Sequence, residues 1–178
     1  GLTVGVFMGH VRAATVGAWN EDNIHPFDFG DFVGAHNGTL KCQKYLPDKD
    51  STETDSRMMF KAMGERGIQP VINDLKYDDA YALTIWDKKE KRLHFARNSK
   101  RPLWFCYDKE HAVIMWASET DMLEFVTRRN NLTITSPKLI PIGWIISTGL
   151  DYISKGEEKI WRNTEITPSP SKSNVIPI

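Results

Sequence analysis

The stretch DAYALTIWDKKEKRLHFARNSKRPLWFCYDKEHAVIMWAS, residues 79–118, alternates four apolar segments with short polar turns. The turns are Asp-Lys-Lys, Asn-Ser-Lys and Asp-Lys-Glu, which are residue types that favour reversal of the chain. Strands joined by such short connections pair antiparallel with their neighbours in sequence. The stretch therefore predicts an antiparallel meander with one face buried.

Helical patterns lie on both sides of this stretch. TDSRMMFKAMGERG, residues 54–67, has apolar side chains at helical spacing, a Thr or Asp to cap its start and a Gly to end it. SETDMLEFVTRR, residues 118–129, predicts a second capped helix.

Further strands are predicted outside the meander, at residues 2–8, 31–37, 132–135 and 143–148. A hairpin arm is expected over 152–161. The fold class is therefore α+β with antiparallel sheet dominating. One domain is expected over residues 1–162, followed by a flexible tail over 163–178 that is rich in Pro and Ser.

Charge and composition narrow the classes of partner. Lys plus Arg and Asp plus Glu number 23 each, so no excess positive field favours nucleic acid or an anionic membrane. No apolar run approaches the roughly 20 residues that span a bilayer. Two cysteines without metal-ligand spacing indicate a reducing, cytoplasmic setting, and we expect no metal. STGLDY, residues 147–152, is similar to a phosphate-binding loop, but the residues after it predict a strand and turn, so we expect a hairpin turn and no cofactor.

Polar residues concentrate in the loop-rich segment from 9 to 40. Arg12 can grip a carboxylate through two parallel hydrogen bonds, and Thr15 can add a hydroxyl donor. Together they suggest a carboxylate clamp. The alternative for an isolated arginine is an ordinary surface position.

Two more features suit an amide-hydrolysing site. Asn37 and Gly38 end a predicted strand, where a side-chain amide and an unhindered backbone N–H can serve as an oxyanion hole. The alternative is a simple Asn-Gly turn. Asp55 stands at the head of the first helix, where it can cap the helix, receive an ammonium group, or do both.

The motifs in this order resemble the glutaminase domain of class II glutamine amidotransferases, which are N-terminal-nucleophile hydrolases. The resemblance extends from residue 9 to about 148 and is greatest to the small stand-alone proteins of bacteriophages and some bacteria. It rests on GHVRAAT (9–15), HPF (25–27), HNGT (36–39), TDS (54–56) and WASE (116–119). It implies an αββα sandwich of antiparallel sheets and hydrolysis of glutamine to glutamate and ammonia, with the ammonia transferred to an acceptor.

The resemblance also implies a role for each candidate residue. Arg12 and Thr15 would hold the α-carboxylate of glutamine, and Asp55 its α-ammonium. Asn37 and Gly38 would stabilise the tetrahedral oxyanion.

Two histidines in the motifs, His25 and His36, are expected to be neutral, hydrogen-bonded core residues.

The family's nucleophile is an N-terminal cysteine whose own amine acts as base, whereas this sequence begins with Gly1. We therefore expect a fold incomplete at its N-terminal end, a chain inactive alone, and a partner that fills the gap: the missing N-terminal segment, a synthase subunit or a second copy. Cys42 and Cys106 are interpreted as ordinary core or loop thiols. Two functions other than glutamine hydrolysis stay open: a non-catalytic module that binds an amino acid or regulates a partner, and a hydrolase of other amides.

Overall fold

The computed structural model describes residues 5–11, 21–46, 48, 51–75, 77–150, 153 and 161–167. Among these residues lie two 3-10 turns, Glu21–Asn23 and Gln43–Tyr45, and the α-helices α1 (Asp55–Arg66), α2 (Ile68–Asp74) and α3 (Thr120–Arg129). Its strands are β1 (Phe27–Phe29), β2 (Phe32–Thr39), β3 (Ala80–Asp87), β4 (Arg92–Arg97), β5 (Trp104–Asp108), β6 (Val113–Ala117), β7 (Lys138–Leu139), β8 (Trp144–Gly149) and β9 (Arg162–Glu165).

The strands form two sheets in which neighbouring strands are antiparallel. A six-stranded sheet has the order β1-β2-β3-β4-β8-β9, and a three-stranded sheet has the order β6-β5-β7. The predicted α+β class with antiparallel sheets is confirmed.

Alternate residues of β3 face opposite cores. Leu83 and Ile85 pack with the buried residues of α1 and α2, whereas Ala82 packs with Phe95 of β4 and Leu103 in the core between the two sheets. Because side chains alternate along a strand, β3 is buried on both faces. The layers are therefore α1 with α2, the six-stranded sheet, the three-stranded sheet, and α3 on the outside.

Helix α1 forms where the sequence predicts it. The Thr54 hydroxyl accepts a hydrogen bond from the Arg57 N–H at 3.1 Å, and Gly67, with φ of 85°, ends the helix. Met59 and Met63 are fully buried, which stabilises the helix by roughly 1.5–3 kcal/mol for each side chain removed from water.

The predicted four-stranded meander is wrong. β3 pairs with β4 and β5 pairs with β6, but the two hairpins belong to different sheets. The physical reason is the apolar character of both faces of β3, which requires a cover on each face. One face is covered by α1 and α2, and the other by the second hairpin.

The remaining predicted strands and the second helix are confirmed in part. β2 and β8 confirm the strands predicted at 31–37 and 143–148. The region 132–135 contributes only an isolated bridge, from Ile134 to Asp108. Residues 5–8 are not in a strand, and residues 2–4 lie outside the described residues. Helix α3 is confirmed, but Glu119 makes no side-chain cap.

The ordered fold continues past the predicted start of the tail. The sequence predicts a tail from Asn163, but Asn163 lies inside β9. This strand pairs with β8 through its backbone, although its side chains are exposed. The hairpin turn expected over 147–152 is not formed, because β8 continues to Gly149 and Leu150 is helical. Residues 151–152, 154–160 and 168–178 lie outside the described part. In that part no helix is long and apolar enough to cross a bilayer.

Candidate active site

The end of β2 places the predicted oxyanion residues against the start of β3. Asn37 pairs with Ala82, and Gly38 pairs with Tyr81. Gly38 has a φ of 153°, and an added Cβ would overlap the carbonyl oxygen of Ala80. Only glycine fits this backbone, because it has no Cβ and tolerates positive φ.

Asp55 is the first residue of α1 and is only 5% exposed. Its Oδ2 accepts a hydrogen bond from the Leu40 N–H at 2.6 Å, and its Oδ1 accepts one from the Ser56 N–H at 2.9 Å. Thr54, not Asp55, caps the helix, so the Asp55 carboxylate faces the chain two residues beyond Gly38. The positive end of the helix dipole favours a carboxylate here.

A second buried carboxylate holds the following two residues. Asp79 is fully buried, and its Oδ1 accepts from the Lys41 N–H at 2.6 Å and from the Cys42 N–H at 2.9 Å. With the Asp55–Leu40 bond, three successive backbone N–H groups after β2 are therefore bound by two aspartates. These bonds fix the path of the chain that leaves Gly38.

His36 connects β2 to both α1 and β3. Its Nδ1 lies 2.7 Å from the Ser56 hydroxyl and its Nε2 lies 3.2 Å from the Ala80 carbonyl oxygen. Since a carbonyl can only accept, Nε2 carries the proton and Nδ1 accepts from Ser56. Burial lowers the pKa of His36, which keeps the ring neutral although Asp55 acts in the opposite direction. This agrees with the expected neutral core histidine.

Positive or titratable groups also approach this end of the sheet. His10 and Arg101 both lower the pKa of His36. The ring centroids of His10 and His25 lie 4.3 Å apart, and the ring centroids of His25 and Phe27 lie 4.4 Å apart. Burial lowers the pKa of His10 as well.

The sequence analysis missed Asn98, which shapes the connection between β4 and β5. Its Oδ1 accepts from the Tyr81 N–H at 3.3 Å and from the Lys100 N–H at 3.1 Å, and its Nδ2 donates to the Asp79 carbonyl at 2.6 Å. The available signal was its place as the first residue of Asn-Ser-Lys, since Asn side chains often bond to the backbone two residues on.

Burial, with the Asp79 charge, raises the pKa of Tyr81 to about 12.

The sequence of the chain matches a glutamine amidotransferase domain model over residues 24–125. It belongs to the glutamine amidotransferase domain family. The match covers the strand that carries Asn37 and Gly38 and the helix that carries Asp55, and it confirms the resemblance at the level of the family.

Two curated relatives of this amidotransferase domain are much longer than the chain itself. One is "Probable asparagine synthetase [glutamine-hydrolyzing]" of Acanthamoeba polyphaga mimivirus, 30% identical over 128 residues, or 68% of this chain and 23% of the relative. The other is "7-cyano-7-deazaguanine synthase 2" of Sulfurisphaera tokodaii, 29% identical over 115 residues, or 58% and 24%. The chain thus spans about a quarter of the length of each.

A solved structure with a similar fold is glutamine phosphoribosylpyrophosphate amidotransferase from B. subtilis, complexed with ADP and GMP. The TM-score is 0.60 at 20% identity, covering 88% of this chain and 34% of that one. The similarity concerns the fold alone, and it supports the predicted sandwich of antiparallel sheets.

Of the five predicted site residues, the structure brings Asn37, Gly38 and Asp55 to one end of the six-stranded sheet. Arg12 and Thr15 lie outside the described residues.

The two cysteines of the amidotransferase domain are buried thiols. Cys42 donates a weak hydrogen bond to the Asp74 carbonyl at 3.6 Å, and Cys106 is fully buried. Burial raises the pKa of Cys106, with Asp108 contributing in the same direction. The described part of the chain contains no group of three His, Cys, Asp or Glu side chains suited to a metal ion.

Proposed function

We propose that this amidotransferase domain binds L-glutamine and hydrolyses its side-chain amide to glutamate and ammonia, which passes to an acceptor site. The main support is the hydrogen bond that the Leu40 N–H donates to Asp55. It holds the buried Asp55 carboxylate against Leu40, which lies two residues after Gly38 in the chain. The carboxylate of Asp55, which attracts a cation, therefore lies near the predicted oxyanion donors. Recognition of a free amino acid requires both kinds of group in one site.

The proposed roles follow from charge and hydrogen-bonding capacity. Asp55 receives the α-ammonium group, and Arg12 with Thr15 binds the α-carboxylate. The Asn37 amide and the Gly38 N–H stabilise the oxyanion that forms when the amide carbon is attacked. Such a donor typically contributes about 3 kcal/mol to transition-state stabilisation.

In this proposal the nucleophile is an N-terminal cysteine thiolate that lies outside the 178 residues. The N-terminal amine takes the thiol proton, and the thiolate attacks the amide carbon to give a tetrahedral intermediate. The amine returns that proton to the departing nitrogen, so ammonia leaves and a thioester remains, which water hydrolyses to glutamate and the free thiol. The burial of Cys42 and Cys106 supports this assignment, because neither thiol is accessible to a substrate.

The partners are proposed on the same basis. The N-terminal segment would supply the nucleophile, and a synthase subunit or a second copy of the chain would complete the assembly. The names of the two curated relatives, both synthases or synthetases, favour a synthase as the ammonia acceptor. A small stand-alone protein of the phage and bacterial type remains our proposal for the whole protein.

The deciding experiment measures glutamine binding by calorimetry, and glutamate and ammonia release by the natural gene product with its own N-terminus. Asp55→Asn is expected to weaken glutamine binding at least tenfold. Binding of glutaramate, the analogue that lacks the α-amino group, should be weak in both proteins and insensitive to the substitution. Asp87→Asn is the matched control, because Asp87 is also buried but accepts from Glu90 in the β3–β4 turn.

The outcomes separate the alternatives. Asn37→Ala should lower the hydrolysis rate about a hundredfold with less effect on binding. Glutamine binding without ammonia release indicates a non-catalytic amino-acid-binding module. Hydrolysis of other amides that survives Asp55→Ala indicates a different amide hydrolase.

A further inference from the structure

The two groups that bond to the His36 ring belong to different elements. Ser56 is the second residue of α1 and adjoins Asp55, while the Ala80 carbonyl begins β3 and lies against Gly38. One buried ring therefore bridges the helix that carries the carboxylate and the strand end that carries the oxyanion donors.

We propose that His36 is a positioning residue for glutamine recognition: its bond with the Ser56 hydroxyl fixes the start of α1 and, with it, the adjacent Asp55 carboxylate. The inference deepens the proposed function and rests on it. His36 does not touch the substrate in this proposal and acts only through its two neighbours.

The Ser56 hydroxyl has a choice between two acceptors. It lies 2.7 Å from His36 Nδ1 but 3.4 Å from Asp55 Oδ1, so its single hydrogen goes to the nearer acceptor, the imidazole nitrogen. This bond ties the first turn of α1 to β2 and so fixes the position of Asp55, the residue before Ser56. Loss of either partner, the hydroxyl or the nitrogen, would remove that tie.

The second ring nitrogen fixes the other side of the site. Nε2–H donates to the Ala80 carbonyl, whose oxygen faces the space that a Cβ of Gly38 would fill. The ring thereby holds α1 and the beginning of β3 at fixed distances from the end of β2. Because hydrogen bonds in a buried site are strongly directional, both bonds are needed to define that geometry.

The same chain contains a matched pair remote from the site. His94 Nδ1 lies 2.8 Å from the Ser147 hydroxyl, across the β4–β8 pairing, and burial lowers the pKa of that ring too. A histidine–serine bond that merely stabilises the fold is therefore available for comparison.

The test measures the dissociation constant for L-glutamine by calorimetry on the natural gene product. Ser56→Ala and His36→Gln are compared with Ser147→Ala and His94→Gln, and unfolding midpoints are recorded for all four. We expect about a tenfold weaker glutamine affinity for the first pair only, with similar losses of stability in both pairs. Ser56→Thr, which keeps the hydroxyl, should restore the affinity.

Two results would overturn the inference while leaving glutamine recognition intact. One is an unchanged affinity in Ser56→Ala and His36→Gln when Asp55→Asn still weakens binding. The other is an equal loss of affinity for glutamine and for glutaramate, since only glutamine carries the ammonium that Asp55 would bind. If the unsubstituted protein binds no glutamine, the proposed function itself fails, and this inference fails with it.

Discussion

Replacement of Gly38 by alanine tests the geometry at the end of β2 most directly. The φ of 153° lies in a region that side chains rarely adopt, which costs about 1–3 kcal/mol. The new Cβ would also overlap the Ala80 carbonyl, and overpacking of this kind costs about 1–3 kcal/mol. The overlapping group is backbone held in the β2–β3 ladder, so no side-chain rotation relieves it.

The two costs together predict that Gly38→Ala lowers the free energy of unfolding by about 2–6 kcal/mol, against a total of about 5–15 kcal/mol for an ordinary domain. Urea denaturation followed by tryptophan fluorescence measures the loss. Glutamine affinity should fall in the fraction that still folds, because relief of the overlap moves β2 away from β3.

Two other glycines separate the contributions. Gly30 has a φ of 59° with nothing within 4 Å of the added Cβ, so Gly30→Ala should cost only the backbone strain of about 1–2 kcal/mol. Gly64 lies in α1, where the nearest atoms to a new Cβ are Phe29 atoms at 3.5 Å, so Gly64→Ala should be stabilising by up to about 1 kcal/mol. A Gly38→Ala protein as stable as Gly64→Ala would refute the assigned geometry.

Four further substitutions or conditions have defined outcomes. Asp74→Asn should lower the free energy of unfolding by about 1–3 kcal/mol in urea denaturation, because the buried Tyr45 hydroxyl loses a charged acceptor at 2.7 Å. Met63→Ala should cost about 2–5 kcal/mol in the same assay, because Met63 is fully buried in α1. Acidification below about pH 6.5 should lower the unfolding midpoint. Burial lowers the pKa of His36 in the folded state, so below about pH 6.5 the unfolded chain binds a proton that the folded chain does not. The stability that His36 contributes above that pH is therefore lost as the pH falls towards the folded-state pKa. Cys106 should not react with a thiol reagent in the native protein, since burial raises its pKa, and it should react at once in urea.

Each of these expectations has its own control. Met122→Ala on the exposed face of α3 should change stability little beside Met63→Ala. The dependence on pH should be smaller in His36→Gln, and an unchanged dependence would assign it to other groups. A stable Asp74→Asn protein would show that Tyr45 finds another partner. Rapid native labelling of Cys106 would contradict its burial.

Much of the local structure could be predicted because its causes are local. A cap at Thr54 or Asp55 and the Gly67 end of α1 depend on residues a few positions apart, and the pattern of Met59 and Met63 needs only the helical period. The β3–β4 and β5–β6 hairpins could likewise be predicted from their short turns. The division of the two hairpins between two sheets could not be predicted, because strand periodicity shows which residues share a face but not what covers that face.

The sequence supplied the candidate site residues and their proposed roles, but not the hydrogen bonds that position them. The sequence favoured Asp55 as a helix cap or an ammonium acceptor, and only the fold decided that Thr54 caps the helix while Asp55 faces Leu40. Asn98 and Asp79 were missed, because each binds backbone groups brought near by other strands.

The sequence by itself determined α1, α3 and most of the strands, since these follow from side-chain period, capping and turn chemistry. The need for glycine where β2 ends is clear only in the structure, because the carbonyl that a Cβ would overlap belongs to Ala80 in another strand. Tertiary structure alone decided which polar groups meet. The bond between Asp55 and Leu40 joins residues 15 apart, and those of His36 with Ser56 and Ala80 join residues 20 and 44 apart. Hydrogen bonds over such separations have no periodic trace in a sequence, because their partners approach only after the strands and helices have packed.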